Sequence, residues 1–125
     1  MIRENYVFNR LEELGLEMIP VKKVQQIFNN DLVARSTKVQ KELLSKAIGL
    51  LKKDHEMVYS TCSILREENE EILENFIKTN KIEIVPINKD LFEDITLLPT
   101  TIEGTICVMP SKLYEGFFIA KIRKK

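Results

Sequence analysis

The stretch from residue 56 to residue 71 constrains the fold of this chain more than any other part. A short apolar strand pattern at residues 56–60 leads directly into Thr61-Cys62-Ser63, and acidic residues typical of a helix start follow at 67–71. A strand, a tight turn and a helix in this order predict a layered α/β fold. Cys62 would then lie at the end of a strand and at the mouth of a helix, where backbone N–H groups favour a reactive thiolate.

Length and charge limit the classes of protein to which the chain can belong. Its 125 residues and 14.6 kDa are the size of one small domain, or of part of a larger one. Lys and Arg together number 19, and so do Asp and Glu, so the formal net charge is zero. This balance argues against a strong stand-alone nucleic-acid-binding surface. The basic residues 121–125 are interpreted as a solubilising terminus.

Cysteine and histidine usage gives no metal site. The chain has two cysteines, Cys62 and Cys107, and a single histidine, His55, without the spacing of metal ligands. We expect Cys107 to be a buried apolar side chain and His55 to lie on a surface turn. The sequence contains no signal peptide and no apolar run of transmembrane length. We therefore expect a cytoplasmic chain with reduced thiols and no membrane association.

Hydrophobic periodicity predicts alternating helices and strands. Helices are predicted over residues 4–14, 36–53 and 67–79, the second with Ser36 and Thr37 as N-cap candidates. Strands are predicted over residues 18–21, 56–60, 81–87, 105–109 and 116–122, with a longer connection at 88–103. The last two strands would form an antiparallel hairpin. Because neighbouring residues of a strand face opposite sides, Phe117 or Phe118 should be a core residue.

Four pieces of the chain match a known pattern in their order and spacing. They are Gln40-Lys41-Glu42-Leu43-Leu44, Val58-Tyr59-Ser60-Thr61-Cys62-Ser63-Ile64, Glu67-Glu68-Asn69-Glu70 and Glu115-Gly116-Phe117-Phe118-Ile119-Ala120-Lys121-Ile122. Through them the chain resembles the Sun-type (Fmu-type) RNA cytosine-5-methyltransferases over residues 38–79 and 104–123. The resemblance implies an α/β fold, namely the C-terminal part of a Rossmann-like methyltransferase sheet with helices on its faces and a terminal antiparallel strand pair. Residues 1–125 would then form a single, partial methyltransferase-like domain.

The resemblance also implies a chemistry in which Cys62 is the catalytic nucleophile. In that family the thiolate of the Thr-Cys-Ser cysteine adds to C6 of a cytosine in RNA, and C5 accepts a methyl group from S-adenosylmethionine. Loss of the C5 proton and of the cysteine then releases 5-methylcytosine. The implied cofactor is therefore S-adenosylmethionine and the implied partner is rRNA or tRNA. The resemblance assigns no RNA-binding residue in this chain.

Two features of the family have no counterpart in this sequence. The four glycines, at positions 15, 49, 104 and 116, lie too far apart to form the glycine-rich loop that cradles the cofactor. The Asp-Ala-Pro-Cys motif that precedes Thr-Cys-Ser in the family is also absent. We therefore expect that the binding site for S-adenosylmethionine is not present in this chain and that the chain alone is inactive.

Two hypotheses for the function follow. The first is the C-terminal part of an RNA cytosine-5-methyltransferase that works only with its missing half, the chain being a fragment, a split gene product or a truncated one. The alternative is a non-catalytic remnant that acts as an assembly or weak RNA-binding module. In both cases an incomplete sheet would leave an open edge and an exposed apolar face. We therefore predict self-association or a partner chain that completes the sheet.

Overall fold

A computed structural model describes residues 30–111 and 115–125 of the chain. In chain order its elements are helix α1 (Asn30–Leu50), strand β1 (Glu56–Thr61), helix α2 (Glu70–Lys78) and strands β2 (Ile82–Val85), β3 (Leu97–Leu98), β4 (Ile106–Val108) and β5 (Phe117–Lys124). Short 3-10 turns at Arg66–Glu68 and Lys89–Phe92 precede α2 and β3. The described strands form one five-stranded sheet in which every pairing is antiparallel.

The sheet is built around β5. One edge of this strand pairs with all of β1, from Glu56 opposite Arg123 to Thr61 opposite Phe118. Its other edge pairs with β4 near the start of β5 and with β2 near its end, while β3 pairs with β4. β1 is therefore an outer strand, and its second edge has no partner strand among residues 30–111 and 115–125.

Alternation along β5 separates a buried face of the sheet from a more open one. Phe118, Ala120 and Ile122 are fully buried, whereas the residues between them are only partly so. Because directly opposed residues of an antiparallel pair share a face, Met57 and Tyr59 of β1 lie on the buried face too. Tyr59 and Phe118 meet edge to face, with ring centroids 6.4 Å apart. One face of the sheet thus carries the core.

Both described helices pack on this buried face. Their apolar residues recur at the spacing that lines one side of a helix, and they join a single core cluster with the strands through Leu44, Ile48, Ile72, Leu73 and Phe76. On the opposite face of the sheet, Val58 is 59% exposed. The described part of the chain is therefore a two-layer structure with a helical layer on one side of the sheet.

The strand predictions are confirmed with shifted ends, and so is the terminal antiparallel hairpin of β4 and β5. Phe118 is the core residue of the Phe117–Phe118 pair. Most of residues 121–125, interpreted as a solubilising terminus, belong to the sheet, because β5 extends to Lys124. Arg123 there contacts Glu56 and Glu83 on the two flanking strands, at 3.5 and 3.3 Å. The predicted connection at 88–103 contains the short strand β3, which the sequence did not reveal.

Two helix starts differ from the sequence predictions. Ser36 and Thr37 lie inside α1 and cap nothing, and the Thr37 hydroxyl instead donates to the Ala34 carbonyl at 3.0 Å. The helix predicted over 67–79 corresponds to α2, which begins only at Glu70 because Asn69 is non-helical, with φ −116° and ψ −96°. The predicted helix at 4–14 and strand at 18–21 lie outside the described residues.

The two adjacent phenylalanines of β5 offer a matched test of this packing. Phe118 is fully buried between β1 and β4, whereas Phe117 faces the more open side. We expect Phe118→Ala to lower the free energy of unfolding by about 3–5 kcal/mol, since it leaves a cavity in the core. Phe117→Ala should cost less than half as much. Urea unfolding measures both, and equal losses would contradict the assigned faces.

Candidate active site

Cys62 lies one residue beyond the end of β1, and its side chain is exposed. The predicted position at a strand end is therefore confirmed. Along the chain, a 3-10 turn at Arg66–Glu68 separates Cys62 from α2, which starts at Glu70. In space, Asn69, the residue before α2, contacts both neighbours of Cys62, so the start of this helix lies beside the turn.

Three hydrogen bonds form a closed set around the turn that carries Cys62, and the Thr61 hydroxyl also lies 3.3 Å from the Ser63 carbonyl oxygen. The Ser63 N–H donates to Thr61 Oγ1 at 3.3 Å, and the Thr61 hydroxyl donates to Asn69 Oδ1 at 2.5 Å. The side-chain amide of Asn69 then donates to the Ser63 carbonyl at 2.8 Å. We call this closed set the Asn69 ring. It joins the residues on both sides of Cys62 to one buried side chain, and sequence reasoning did not find it.

Further contacts hold the segment that follows the turn. The Leu65 N–H donates to Ser63 Oγ at 3.0 Å. Gly116, which precedes β5, packs so closely here that a Cβ atom would lie 2.8 Å from Ile64 Cγ2 and 2.7 Å from Pro110 Cγ. A side chain at position 116 would therefore push the turn away from β5. This gives a structural reason for glycine in the Gly116-Phe117-Phe118 piece.

Tyr59 anchors the 3-10 turn to β1. Its hydroxyl donates to the Glu68 carbonyl at 2.7 Å. Burial, with a smaller contribution from the negative charge of Glu68, raises the pKa of Tyr59 from 10.0 to about 12. The hydroxyl therefore keeps its proton, and the bond to Glu68, far into alkaline solution.

The glutamates at positions 67–71, which the sequence suggested lie at a helix start, differ in their surroundings. Glu70 is only 1% exposed, and its carboxylate accepts the Thr101 N–H at 3.2 Å, which ties α2 to the segment between β3 and β4. Glu67 Oε2 is buried and accepts no hydrogen bond from the described residues. Glu68 is half-buried as well, so Glu71 alone among these glutamates is fully on the surface.

The structure also places the second cysteine, the histidine and the described glycines. Cys107 is fully buried in β4, and His55 is exposed on the turn before β1, as predicted. Of the described glycines, Gly49 lies at the end of α1, Gly104 packs on Pro86 and Gly116 on Pro110. These three positions form no common loop around a ligand-sized space. No helix among the described residues has the length and apolar character to span a bilayer.

An apolar groove runs between α1 and the outer edge of β1. Its volume is about 260 Å³, and its lining includes Leu43 and Ala47 of α1 and Met57 and Thr61 of β1. Leu43 is 62% exposed. Gln40 also lines the groove, and its Oε1 is buried without a hydrogen-bond donor from the described residues. Since Thr61 is the first residue of the turn that carries Cys62, the groove adjoins this turn.

Comparison with known proteins gives a consistent family. The family model described as 16S rRNA methyltransferase RsmB/F matches residues 17–123. A ribosomal RNA small subunit methyltransferase F of Salmonella arizonae is 41% identical over 91 residues, which cover 68% of this chain and 18% of the relative. The corresponding protein of Vibrio campbellii is 39% identical over 89 residues, again 68% of this chain and 18% of the relative.

Solved structures give the same result. A methyltransferase homolog protein from Pyrococcus horikoshii superposes with a TM-score of 0.65 at 30% identity, over 78% of this chain and 33% of that one. NSun6 from Pyrococcus horikoshii with SFG superposes with a TM-score of 0.58 at 29% identity, over 70% of this chain and 22% of that one.

The sheet and the Thr-Cys-Ser turn thus define an α/β methyltransferase fold. The chain belongs to the RsmB/F family of 16S rRNA methyltransferases, which confirms the resemblance to the Sun-type enzymes. It spans about a fifth of the length of the curated relatives that it matches.

The raised pKa of Tyr59 leads to a testable dependence of stability on pH. Because folding disfavours loss of the phenolic proton, the contribution of Tyr59 is complete below pH 10 and is lost as the pH rises towards about 12. Tyr59→Phe should cost about 1 kcal/mol at neutral pH through the lost hydrogen bond. In the variant, the free energy of unfolding measured with urea should also fall less at alkaline pH, because the contribution of Tyr59 is missing. A tyrosinate absorbance change assigned to Tyr59 and centred at pH 10 would contradict the shift.

Proposed function

We propose that this chain is the C-terminal part of an S-adenosylmethionine-dependent RNA cytosine-5-methyltransferase, with Cys62 as its nucleophile. The observation that carries the proposal is the exposed Cys62 thiol on a hydrogen-bonded turn at the end of β1. Covalent catalysis of this kind needs a thiol that the substrate can reach and that the protein orients. The names of the relatives, ribosomal RNA small subunit methyltransferases, make rRNA the favoured substrate over tRNA.

The role proposed for Cys62 is addition to a cytosine base. Its thiolate sulfur forms a bond to C6, and the electron pair of the C5–C6 double bond moves to C5, which becomes nucleophilic. When C5 has been methylated and loses its proton, the double bond re-forms and the sulfur leaves. The step requires a reduced thiol, which fits the predicted cytoplasmic, reducing location.

The described residues do not fit a binding site for S-adenosylmethionine. The cofactor supplies the methyl group when it is bound, and binding needs backbone that approaches it closely. The described glycines lie apart, and two of them are packed against prolines. We propose that another polypeptide segment holds the cofactor and that the 125-residue chain alone is inactive.

One observation favours the alternative function, a non-catalytic module for assembly or weak RNA binding. The same lack of a cofactor site among the described residues would be expected of a remnant that has lost its catalytic role. The two functions differ in what the Thr-Cys-Ser turn does when the rest of a methyltransferase domain is supplied.

A chimera separates these two functions. In the Salmonella arizonae relative, the matching segment is replaced by residues 17–123 of this chain, the range that the family model matches, which includes Cys62 and Cys107. With S-adenosylmethionine and RNA containing 5-fluorocytosine, we expect a covalent protein–RNA adduct on denaturing gels. The reason is that fluorine replaces the C5 proton whose loss releases the sulfur. Cys62→Ala should abolish the adduct, whereas Cys107→Ala should retain it.

Calorimetric titration with S-adenosylmethionine is the control. A chimera that binds the cofactor but forms no adduct would favour the non-catalytic module. Micromolar binding by the 125-residue chain itself would refute the proposal that the cofactor site lies elsewhere.

We further infer that the outer edge of β1 and the adjoining groove receive a strand from the remainder of a methyltransferase domain. An unpaired strand edge exposes N–H and C=O groups that favour pairing with another chain. Beside this edge, Leu43 and Val58 are 62% and 59% exposed. The buried Gln40 Oε1 would accept a hydrogen bond from such a strand. In the isolated chain the same surface would cause self-association.

Sedimentation velocity of the 125-residue chain tests this surface. We expect the chain to associate, and Leu43→Lys to shift it towards the monomer by placing a charge in the groove. Leu91→Lys is the matched control, because Leu91 is 76% exposed but lies on the 3-10 turn before β3. A monodisperse wild-type monomer would refute the self-association.

A further inference from the structure

Asn69 departs from the usual role of an asparagine at a helix start. It directly precedes α2, where an asparagine side chain commonly accepts a hydrogen bond from the helix backbone. Here the side chain forms no such bond with α2. It is fully buried and turned towards the Thr-Cys-Ser turn, where it contacts Thr61 and Ser63. The chain therefore uses a buried amide for the turn rather than for its own helix.

The direction of every bond in the Asn69 ring is fixed by the backbone. The Ser63 carbonyl can only accept, so the amide nitrogen of Asn69 must face it. The amide oxygen then faces Thr61, whose hydroxyl donates to it while accepting the Ser63 N–H. Each group thus donates on one side and accepts on the other. Hydrogen bonds linked in this way strengthen one another, and removing one leaves its buried partners unsatisfied.

The ring constrains the backbone on both sides of Cys62. Thr61 is held through its hydroxyl, and Ser63 is held through both its N–H and its carbonyl. Cys62 lies between them with an exposed side chain and takes no part in the three bonds. The ring can therefore fix the direction in which the thiol points without covering it.

We propose that Asn69 and Thr61 are positioning residues, which hold the Cys62 turn in the one conformation suited to attack on C6 of the cytosine. This rests on the proposed function of Cys62 as the nucleophile. A small displacement of a reacting group lowers the rate of an oriented reaction by orders of magnitude. Alkylation of a thiol by a small freely diffusing reagent depends on exposure and needs no such orientation. The two reactions therefore distinguish positioning from general damage to the fold.

The test uses a matched pair of substitutions at one residue. Thr61→Val removes the hydroxyl at nearly constant shape, whereas Thr61→Ser keeps it. In the 125-residue chain we expect the Ser63 amide to exchange with solvent about tenfold faster in Thr61→Val, because it has lost its acceptor. Exchange at Ala120, in the pairing of β1 with β5, should stay unchanged. Thr61→Ser should restore the protection of Ser63, and Asn69→Asp, which cannot donate to the Ser63 carbonyl when ionised, should not.

Reactivity of Cys62 supplies the second measurement. In the chimera described above, Thr61→Val and Asn69→Asp should slow adduct formation with 5-fluorocytosine RNA by about 10²-fold. In Thr61→Ser the rate of adduct formation should remain within about threefold of that of the parent chimera. This change is small compared with the loss expected when the thiol is displaced. Alkylation by iodoacetamide in the 125-residue chain should change less than about twofold in all three variants, because Cys62 stays exposed and Cys107 stays buried.

The outcomes separate the positioning role from the proposed function. An adduct that forms equally fast in Thr61→Val, or a loss that Thr61→Ser does not restore, would overturn the positioning role. Unchanged exchange at Ser63 in Thr61→Val would overturn the ring itself. If the parent chimera binds cofactor but forms no adduct, the proposed function fails, whatever the exchange data show. Slow adduct formation with unchanged alkylation, reversed by serine, supports the inference.

Discussion

The pairing of β5 with strands on both of its edges is the constraint on which the described structure depends. Its register with β1 places Thr61 opposite Phe118, and its register with β4 places Cys107 opposite the same residue. Phe118, a buried core residue, therefore lies where β5 pairs with β1 on one edge and with β4 on the other. Since Cys62 directly follows Thr61, the position of the thiol depends on a strand that begins more than fifty residues further along the chain. Gly116, which has no side chain, also lets Ile64 pack close to the start of β5.

The parts of the fold that the sequence revealed are those determined by local pattern. Alternation along β5 predicts that Phe117 and Phe118 face opposite sides of the sheet, and burial of Cys107 follows from its place in an apolar strand. The prediction of where α2 begins was wrong for a physical reason. Local charge favours a helix from residue 67, but Asn69 takes a non-helical conformation, and its side chain joins the ring. Such bonds connect residues that become neighbours only after the turn has formed.

In the candidate site too, the sequence identified some residues and missed others. Cys62 was recognisable because the family pattern marks it, whereas Tyr59, Thr61 and Asn69 were hidden inside that pattern. The signal that points to Asn69 is its position before a helix without a capping role, which only the coordinates reveal. Glu70 is a parallel case, because it reads as an exposed acidic residue and instead binds the Thr101 backbone. The Glu-Asn-Glu piece of the sequence is therefore largely a set of structural contacts around the turn.

The open edge of β1 and the Cys62 turn are parts of one surface. Thr61 belongs to the Asn69 ring and also lines the groove. A strand that occupied the groove would therefore lie against the turn. This matters for the proposed chemistry, because covalent catalysis needs a thiol that is both oriented and activated. The Asn69 ring would supply the orientation from this chain, and a segment that completed the sheet would bring further groups to the same turn.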